Sequence, residues 1–178
     1  MNYFAGALVV GSVVISVACI APASAKQIGA FKDWSAYSEG KAKARTCWIY
    51  SKPVKDEGKY KKRGRIYMLV THRPGEKTSN QVQFTAGYTF KKGSAVQVVI
   101  GKKKFELFTN DDTAWARSTK DDKSIVAAMR GGARMIVTGQ SSRGTKTKDT
   151  YSLAGISAAH RQSARPAASN RADWFRPE

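Results

Sequence analysis

The chain has 178 residues and a formal net charge of +18 at pH 7, from 31 Lys and Arg against 13 Asp and Glu. This length is sufficient for one domain with a single core. With only two cysteines, the sequence excludes a disulfide-rich scaffold, so stability has to come from packing.

The first 25 residues predict a cleaved secretory signal peptide. They contain no Lys, Arg, Asp or Glu, and an apolar run from Phe4 to Ile20 precedes Ala-Ser-Ala at 23–25, a small-x-small cleavage pattern. A run of about 17 residues is short for a membrane span. The sequence therefore predicts a periplasmic or envelope protein without a transmembrane helix after processing. A retained anchor stays as an alternative, because the positively charged start of a signal peptide is missing. Lipidation is a further alternative, because Cys19 lies near the end of the apolar run.

Cleavage after Ala25 leaves one cysteine, Cys47, so no disulfide can form within the mature chain. We expect Cys47 to be buried and unreactive, with pairing between two chains as the alternative. An exported basic protein meets phospholipid headgroups, lipopolysaccharide phosphates and acidic glycans, whereas nucleic acid is the expected polyanion only in the cytoplasm.

Residues 26–159 predict a single all-β domain. Short segments rich in Val, Ile, Phe, Tyr and Thr alternate with turn-forming stretches. Val82, Phe84 and Ala86 alternate with polar residues, which indicates one buried and one wet face. Eight or nine short strands at these spacings predict a two-sheet β-sandwich. The predicted strands lie at 32–40, 44–53, 65–72, 80–90, 94–100, 103–109, 132–141 and 149–158.

One segment, about 121–130, predicts a short helix. Ile125, Ala128 and Met129 fall at i, i+3 and i+4, the spacing of one helix face. Asp121 and Asp122 precede this stripe, where carboxylates accept hydrogen bonds from the free N–H groups of a helix start. The pair therefore predicts a helix cap.

A second acidic cluster, Asn110-Asp111-Asp112, lies between two predicted strands and predicts a turn. Neither cluster has the calcium-loop pattern, so we expect no metal site at either. Residues 160–178 are rich in Ala, Ser, Arg and Pro without periodicity, and they predict a disordered basic tail.

Seven motifs follow one another in a distinctive order between Phe31 and Ala159. They are FKDW (31–34), CWIYSKP (47–53), YMLVTHRP (67–74), VQFTAGYTFKKGS (82–94), KKFELFTNDDTAWAR (103–117), VAAMRGGARMIVTGQSSRGT (126–145) and DTYSLAGISAA (149–159). In this order they resemble the invasion-associated locus B family of exported bacterial proteins. The resemblance implies an envelope β-sandwich with no established enzymatic activity. The family name refers to host-cell entry, but similar proteins occur in bacteria that do not invade cells, so the resemblance gives little support to a role in host-cell contact. Family members often carry a cysteine near the position of Ser38 that pairs with the one matching Cys47, and this chain has serine there.

The candidate catalytic residues are few, because the mature chain has only His72 and His160. A Cys47–His72 pair or a serine triad would have to use His72, but neither a thiol-protease signature nor G-x-S-x-G is present. We expect His72 to be a hydrogen-bonding residue at a strand end. The sequence favours a non-enzymatic protein without metal or cofactor, and a periplasmic hydrolase using His72 is the alternative.

The basic segments carry the binding prediction. The stretch KPVKDEGKYKKRGR (52–65) holds seven Lys and Arg, and further lysines follow in predicted loops. Loops of a sandwich cluster at its two ends, so these charges are expected to form one surface for acidic envelope components such as lipopolysaccharide or phospholipid headgroups, with peripheral membrane contact, or for a protein partner. The predicted polyanion patch consists of Lys59, Lys61, Lys62, Arg63, Arg65, Lys102, Lys103 and Lys104.

The larger aromatic residues give no separate functional signal, because they lie within the strand patterns. We expect them in the core. They are Trp34, Trp48, Phe84, Phe105 and Trp115.

Overall fold

The computed structural model describes residues 24–165. The predicted signal peptide, for nearly its whole length, and residues 166–178 lie outside the described residues. Within 24–165, no helix is both long and apolar enough to cross a membrane.

Eleven antiparallel strands and two short α-helices form the described part of the chain. The strands are β1 (Lys26–Phe31), β2 (Trp34–Glu39), β3 (Thr46–Ser51), β4 (Lys55–Gly58), β5 (Tyr67–Arg73), β6 (Thr78–Thr85), β7 (Ala95–Ile100), β8 (Lys103–Asn110), β9 (Thr113–Ala116), β10 (Arg134–Gln140) and β11 (Lys146–Ser152). The helices are α1 (Thr119–Gly131) and α2 (Ile156–Ser163), and single 3-10 turns occur at Ala42–Ala44 and Pro74–Glu76.

The strands form one sheet in the order β1-β2-β3-β5-β6-β9-β8-β7-β10-β11-β4. The all-β prediction is confirmed, but the sheet is continuous and has more strands than the eight or nine expected. Two of the additional strands, β4 and β9, have only four residues each, too few to show an alternating pattern.

The sheet curls so that its two halves face each other around one core. The rings of Phe84 on β6 and Tyr151 on β11 lie 6.4 Å apart, although four other strands separate them within the sheet. Trp34 Nε1 on β2 donates a hydrogen bond to the carbonyl oxygen of Ser152, 3.0 Å away at the end of β11. This arrangement gives the packing of a sandwich without a break in the hydrogen-bonded ladder.

Strand alternation places one face of the sheet in the core. On β3, Cys47, Ile49 and Ser51 are buried, whereas Trp48 and Tyr50 point to the opposite face. Apolar side chains of α1 and α2, among them Ile125, Met129, Ile156 and Ala159, complete the same core.

The predicted helix is present as α1, but its cap differs from the expectation. Ser118 Oγ accepts the backbone N–H of Asp121 at 3.1 Å, so Ser118 is the N-cap. Asp122 is buried and accepts the backbone N–H of Val82 at 2.8 Å. Val82 lies one residue before Gln83–Thr85, the part of β6 that pairs with β9. Because β9 is too short to reach the Val82 N–H, the Asp122 carboxylate accepts its hydrogen bond instead.

The turn predicted at Asn110-Asp111-Asp112 is confirmed, because it joins β8 to β9 with Asp111 in the left-handed conformation (φ 49°). The predicted tail begins later than expected. Residues 160–163 belong to α2, so the prediction of disorder from residue 160 is wrong for this stretch. Ile156 and Ala159 hold the helix in the core, and two buried apolar residues are too few to reveal a helix by periodicity.

We predict that Asp122→Ala destabilises the domain by roughly 1–3 kcal/mol, because it leaves a buried backbone N–H without an acceptor. Urea denaturation measures the change. The matched control is Asp121→Ala, whose carboxylate contacts only the exposed Ser118 hydroxyl. A larger loss for Asp121→Ala would show that helix capping, and not the contact to β6, is the important role of the pair.

Candidate functional site

The segment from 59 to 66, which joins β4 to β5 and is called the basic loop here, is fixed to the sheet by Arg63. The Arg63 guanidinium makes two hydrogen bonds to the Asp149 carboxylate, at 2.6 and 2.7 Å. Its Nε donates to the carbonyl oxygen of Ala86 at 2.7 Å. The Arg63 and Asp149 side chains are only 3% and 1% exposed. The expectation that Arg63 is an exposed ligand-binding charge is therefore wrong, because its charge is neutralised inside the fold.

Two tyrosine rings enclose the same guanidinium. Its central carbon lies 5.5 Å from the ring centroid of Tyr60 and 5.0 Å from that of Tyr88. Burial alone would lower the pKa of Arg63, but hydrogen bonds and charge from Asp149 outweigh it, so the pKa is raised. Arg63 is thus a permanently charged anchor, and cation–π contacts add to its ion pair.

A close backbone approach reinforces this anchor. Gly64 N–H donates to the carbonyl oxygen of Gly87 at 2.8 Å, and Gly87 adopts a φ of 71°. A Cβ on Gly87 would lie 2.6 Å from the Gly64 carbonyl oxygen. Only glycine fits at position 87, and the basic loop therefore has one defined position on the sheet.

The basic loop forms one wall of a cavity of about 640 Å³, the basic cleft. The turn between β10 and β11, residues 141–145, forms the opposite wall and contributes Arg143. Three exposed lysines of the loop, Lys59, Lys61 and Lys62, line the same cleft, together with Ser141 and Ser142. No Asp or Glu is among the residues lining the cleft. Four cations around one concavity, with hydroxyl groups between them, form a site suited to an anionic group.

The predicted polyanion patch is divided by the fold. Arg65 lies on the other side of the basic loop, in a second cavity of about 460 Å³ that is called the side hollow. Tyr50, Lys52 and Asp56 also line this cavity. Lys102, Lys103 and Lys104 lie at the β7–β8 turn. Since Ile100 pairs with Met135 and Gln97 with Thr138, this turn is at the opposite end of β10 from Arg143.

The histidines lie together under α2, away from the basic cleft. Cys47 and His72 are paired residues on β3 and β5, and the rings of His72 and His160 are 5.2 Å apart. They line a cavity of about 440 Å³. His160 was not expected here because its helix was not recognised. His72 Nδ1 accepts the backbone N–H of Asn80 at 3.2 Å where the β5–β6 ladder is irregular, consistent with the hydrogen-bonding role expected for it.

This histidine cluster lacks the arrangement of a hydrolytic site. The Cys47 thiol donates to Ser38 Oγ at 3.5 Å, and His160 Nε2 contacts Asn80 Oδ1 at 2.7 Å. Burial, with a smaller effect of His160, lowers the pKa of His72 to about 4. Among the described residues neither histidine has a carboxylate hydrogen-bond partner to orient it, and no group of three or more His, Cys, Asp or Glu could hold a metal ion. The geometry gives no support to a hydrolase.

The family model described as invasion associated locus B (IalB) protein matches residues 34–164. The chain belongs to the IalB family. The resemblance expected from the motif order is therefore confirmed, and the match extends beyond it to include all of α2. No curated protein and no solved structure matches the chain.

The register of this IalB-family protein explains the family cysteine pattern implied by the resemblance. Ser38 on β2 lies directly opposite Cys47 on β3. A cysteine at position 38 would thus face Cys47 across two neighbouring strands, at a separation compatible with a disulfide. In this chain the two side chains share a hydrogen bond, and Cys47 is a buried free thiol, as expected.

We predict that Arg63→Met destabilises the domain by about 3–5 kcal/mol, because it leaves the Asp149 carboxylate buried without its partner. Asp149→Leu should also be strongly destabilising, because it leaves the Arg63 guanidinium buried without its partner. The double variant Arg63→Met with Asp149→Leu should recover much of the loss, since it removes both charges. Urea denaturation of the three variants measures this coupling. Strictly additive losses would contradict the role of the ion pair.

We predict that His72 makes stability depend on pH between about 6.5 and 4. The unfolded chain protonates His72 near pH 6.5, whereas the folded chain resists protonation until about pH 4. The unfolded state therefore binds more protons in this range, and stability is lost as the pH falls, by up to about 3 kcal/mol. His72→Asn keeps an acceptor for the Asn80 N–H but cannot titrate.

Urea denaturation of both proteins from pH 7.5 to pH 4 measures the effect as a difference. Carboxylates titrate equally in both, so the stability of the wild type should fall more steeply than that of His72→Asn. Parallel pH profiles would show that His72 is not held neutral by burial.

Proposed function

We propose that this IalB-family protein is an exported, non-enzymatic binding protein of the cell envelope that holds anionic groups in the basic cleft. The observation that supports this most is the convergence of Lys59, Lys61, Lys62 and Arg143 on one cavity whose lining contains no carboxylate. The candidate ligands are phosphate or carboxylate groups of the envelope, as in lipopolysaccharide and phospholipid headgroups.

The buried ion pair favours binding over a merely solvated charged surface. Four neighbouring cations repel one another, and a free loop would separate them. Arg63 and the Gly64–Gly87 contact hold the loop in place before a ligand arrives. A preorganised site loses less conformational entropy when a ligand binds, so less of the favourable interaction free energy is lost in ordering the loop and the affinity is higher.

Export is part of the same proposal. The apolar start, the Ala-Ser-Ala pattern and the family of exported proteins that the motifs resemble support it. A role in host-cell contact would follow from exposure of the cleft at the cell surface. A protein partner would be recognised through the same cleft by an acidic segment, and a wild-type protein that binds neither vesicles nor lipopolysaccharide in the assay below would favour this outcome.

We predict that reversing the charges of the cleft abolishes binding to anionic vesicles or lipopolysaccharide, whereas reversing charges elsewhere does not. The cleft variant carries Lys59→Glu, Lys61→Glu, Lys62→Glu and Arg143→Glu. The matched control carries Lys102→Glu, Lys103→Glu, Lys104→Glu and Arg134→Glu, which alters net charge equally at the other end of β10. Co-sedimentation at low and physiological salt should give at least a tenfold loss for the cleft variant only.

Equal losses in both variants would mean that binding follows net charge and has no site. Binding that is insensitive to salt and to both variants would contradict anion recognition and favour a protein partner that uses another surface. Thermal melting of both variants checks that folding is intact, which we expect because all eight side chains lie outside the core.

A further inference from the structure

The face of the sheet opposite the core carries a row of aromatic side chains on β2, β3 and β5. This aromatic row consists of Tyr37, Trp48, Tyr50 and Tyr67. Tyr37 and Trp48 are stacked, with ring centroids 5.7 Å apart and planes at 13°, and the rings of Tyr50 and Tyr67 are also 5.7 Å apart. Tyr37 meets Tyr50 edge-on at 6.4 Å, so the four rings form one connected group.

The aromatic row is not part of the core. All four side chains are partly exposed and alternate along their strands with buried residues such as Ala36, Ile49 and Met68. The expectation that Trp48 lies in the core is wrong, and the same holds for Trp115 on β9, whereas Trp34 and Phe84 are fully buried and Phe105 packs against the core.

The row is confined to one half of the outward face. Apart from Phe108 on β8, which pairs with Trp115 on β9, the corresponding outward positions on β7, β8, β10 and β11 carry largely polar side chains. These include Gln97, Lys104, Glu106, Thr138 and Lys148. Cross-strand aromatic pairs stabilise a sheet, but both halves of this sheet would gain equally from such stabilisation. Aromatic rings that are concentrated on a solvent-facing surface are typical of binding sites, where Tyr and Trp provide large contact areas.

The aromatic row continues into the basic surface. Tyr50 belongs both to the row and to the side hollow, which also contains Lys52, Arg65 and one carboxylate, Asp56. Asp56 accepts a hydrogen bond from the Tyr60 hydroxyl at 2.9 Å. Gly64 lines the side hollow and the basic cleft, so the basic loop is the wall between the two cavities. Aromatic rings and cations therefore lie along one path from Tyr37 to the basic cleft, with Asp56 as the one carboxylate lining the side hollow.

We infer that the ligand of this surface is an acidic polysaccharide, with its sugar rings on the aromatic row and its anionic groups at the side hollow and the basic cleft. This inference rests on the proposed function and specifies its ligand. A pyranose ring has an apolar face of C–H groups that packs on an aromatic ring, and hydroxyl groups at its rim that stay in water. Carboxylate, phosphate or sulfate groups on the same chain complement Lys52, Arg65 and the cleft lysines. A lipid headgroup would need the cations alone and would leave the row unused.

The test compares polygalacturonate, uncharged dextran and vesicles of phosphatidylglycerol as ligands of the full protein, with binding followed by titration calorimetry. Trp48→Thr with Tyr67→Thr removes two rings and keeps residues that favour strands. Phe108→Thr is the control, because Phe108 is also an outward aromatic residue, 39% exposed, but lies on β8 away from the basic loop. Trp48→Phe with Tyr67→Phe is a second control that retains an aromatic ring at both positions. A loss of affinity in this variant would indicate a disturbed fold.

We expect polygalacturonate to bind more tightly than dextran, and the Thr double variant to lose at least about tenfold in affinity for it. The Phe double variant and Phe108→Thr should bind like the wild type, and vesicle binding should be unchanged in the Thr double variant. If that variant keeps its affinity for polygalacturonate while the cleft charge variant loses it, the glycan inference fails and the proposed anion site stands. If both variants keep it, polygalacturonate binds at another surface and the glycan inference fails, whereas the proposed function is decided by the vesicle and lipopolysaccharide assay. Loss of vesicle binding in the Thr double variant would assign the row to a membrane surface and overturn the inference.

Discussion

One constraint organises this molecule: a single eleven-stranded sheet has to remove one apolar face from water, and it does so by curling until that face meets itself. The contacts of Trp34 with the end of β11 and of Phe84 with Tyr151 close this curl. The helices α1 and α2 fill the remaining space, and Asp122 satisfies the sheet donor that β9 leaves free. Because the core uses only the inner face, everything on the outer face and in the connecting loops is available for other purposes.

The Arg63–Asp149 pair shows how a loop is added to such a closed core. Burying two charges is expensive, and a well-packed apolar pair of the same size is often at least as stable. The stability of the domain therefore does not explain the pair. What the ion pair provides is position, because the planar guanidinium accepts only one orientation against the carboxylate, the Ala86 carbonyl and two tyrosine rings. Lysines that would otherwise separate by mutual repulsion are held around one cavity.

Local patterns made much of the fold predictable from the sequence. Alternation predicted the strands, a three-residue stripe predicted α1, and a run of Asn and Asp predicted the β8–β9 turn. The failures have a common origin in contacts between distant residues. Arg63 lies in a run of cations, and its partner is 86 positions away. In Cys47-Trp48-Ile49-Tyr50 both faces of the strand are apolar, so alternation cannot show which side is inward. Whether strands belong to one sheet or two depends on strand pairings that no short segment specifies. The same strand pairings place Lys102–Lys104 away from the basic loop, which the sequence did not show.

Charge and aromatic surface would contribute to recognition in different ways. A net charge of +18 attracts any polyanion and raises the rate of encounter. This attraction weakens as salt is added, because it is screened over about 8 Å at physiological ionic strength. Charge alone therefore gives little discrimination among envelope components. Contacts between sugar faces and aromatic rings depend little on salt and act mainly by slowing dissociation. In the proposed site, the basic cleft and side hollow would bring an acidic chain to the surface, and the aromatic row would determine how long it stays. The placement of both along one path, joined at Tyr50 and Gly64, is what distinguishes such a site from a generally basic surface.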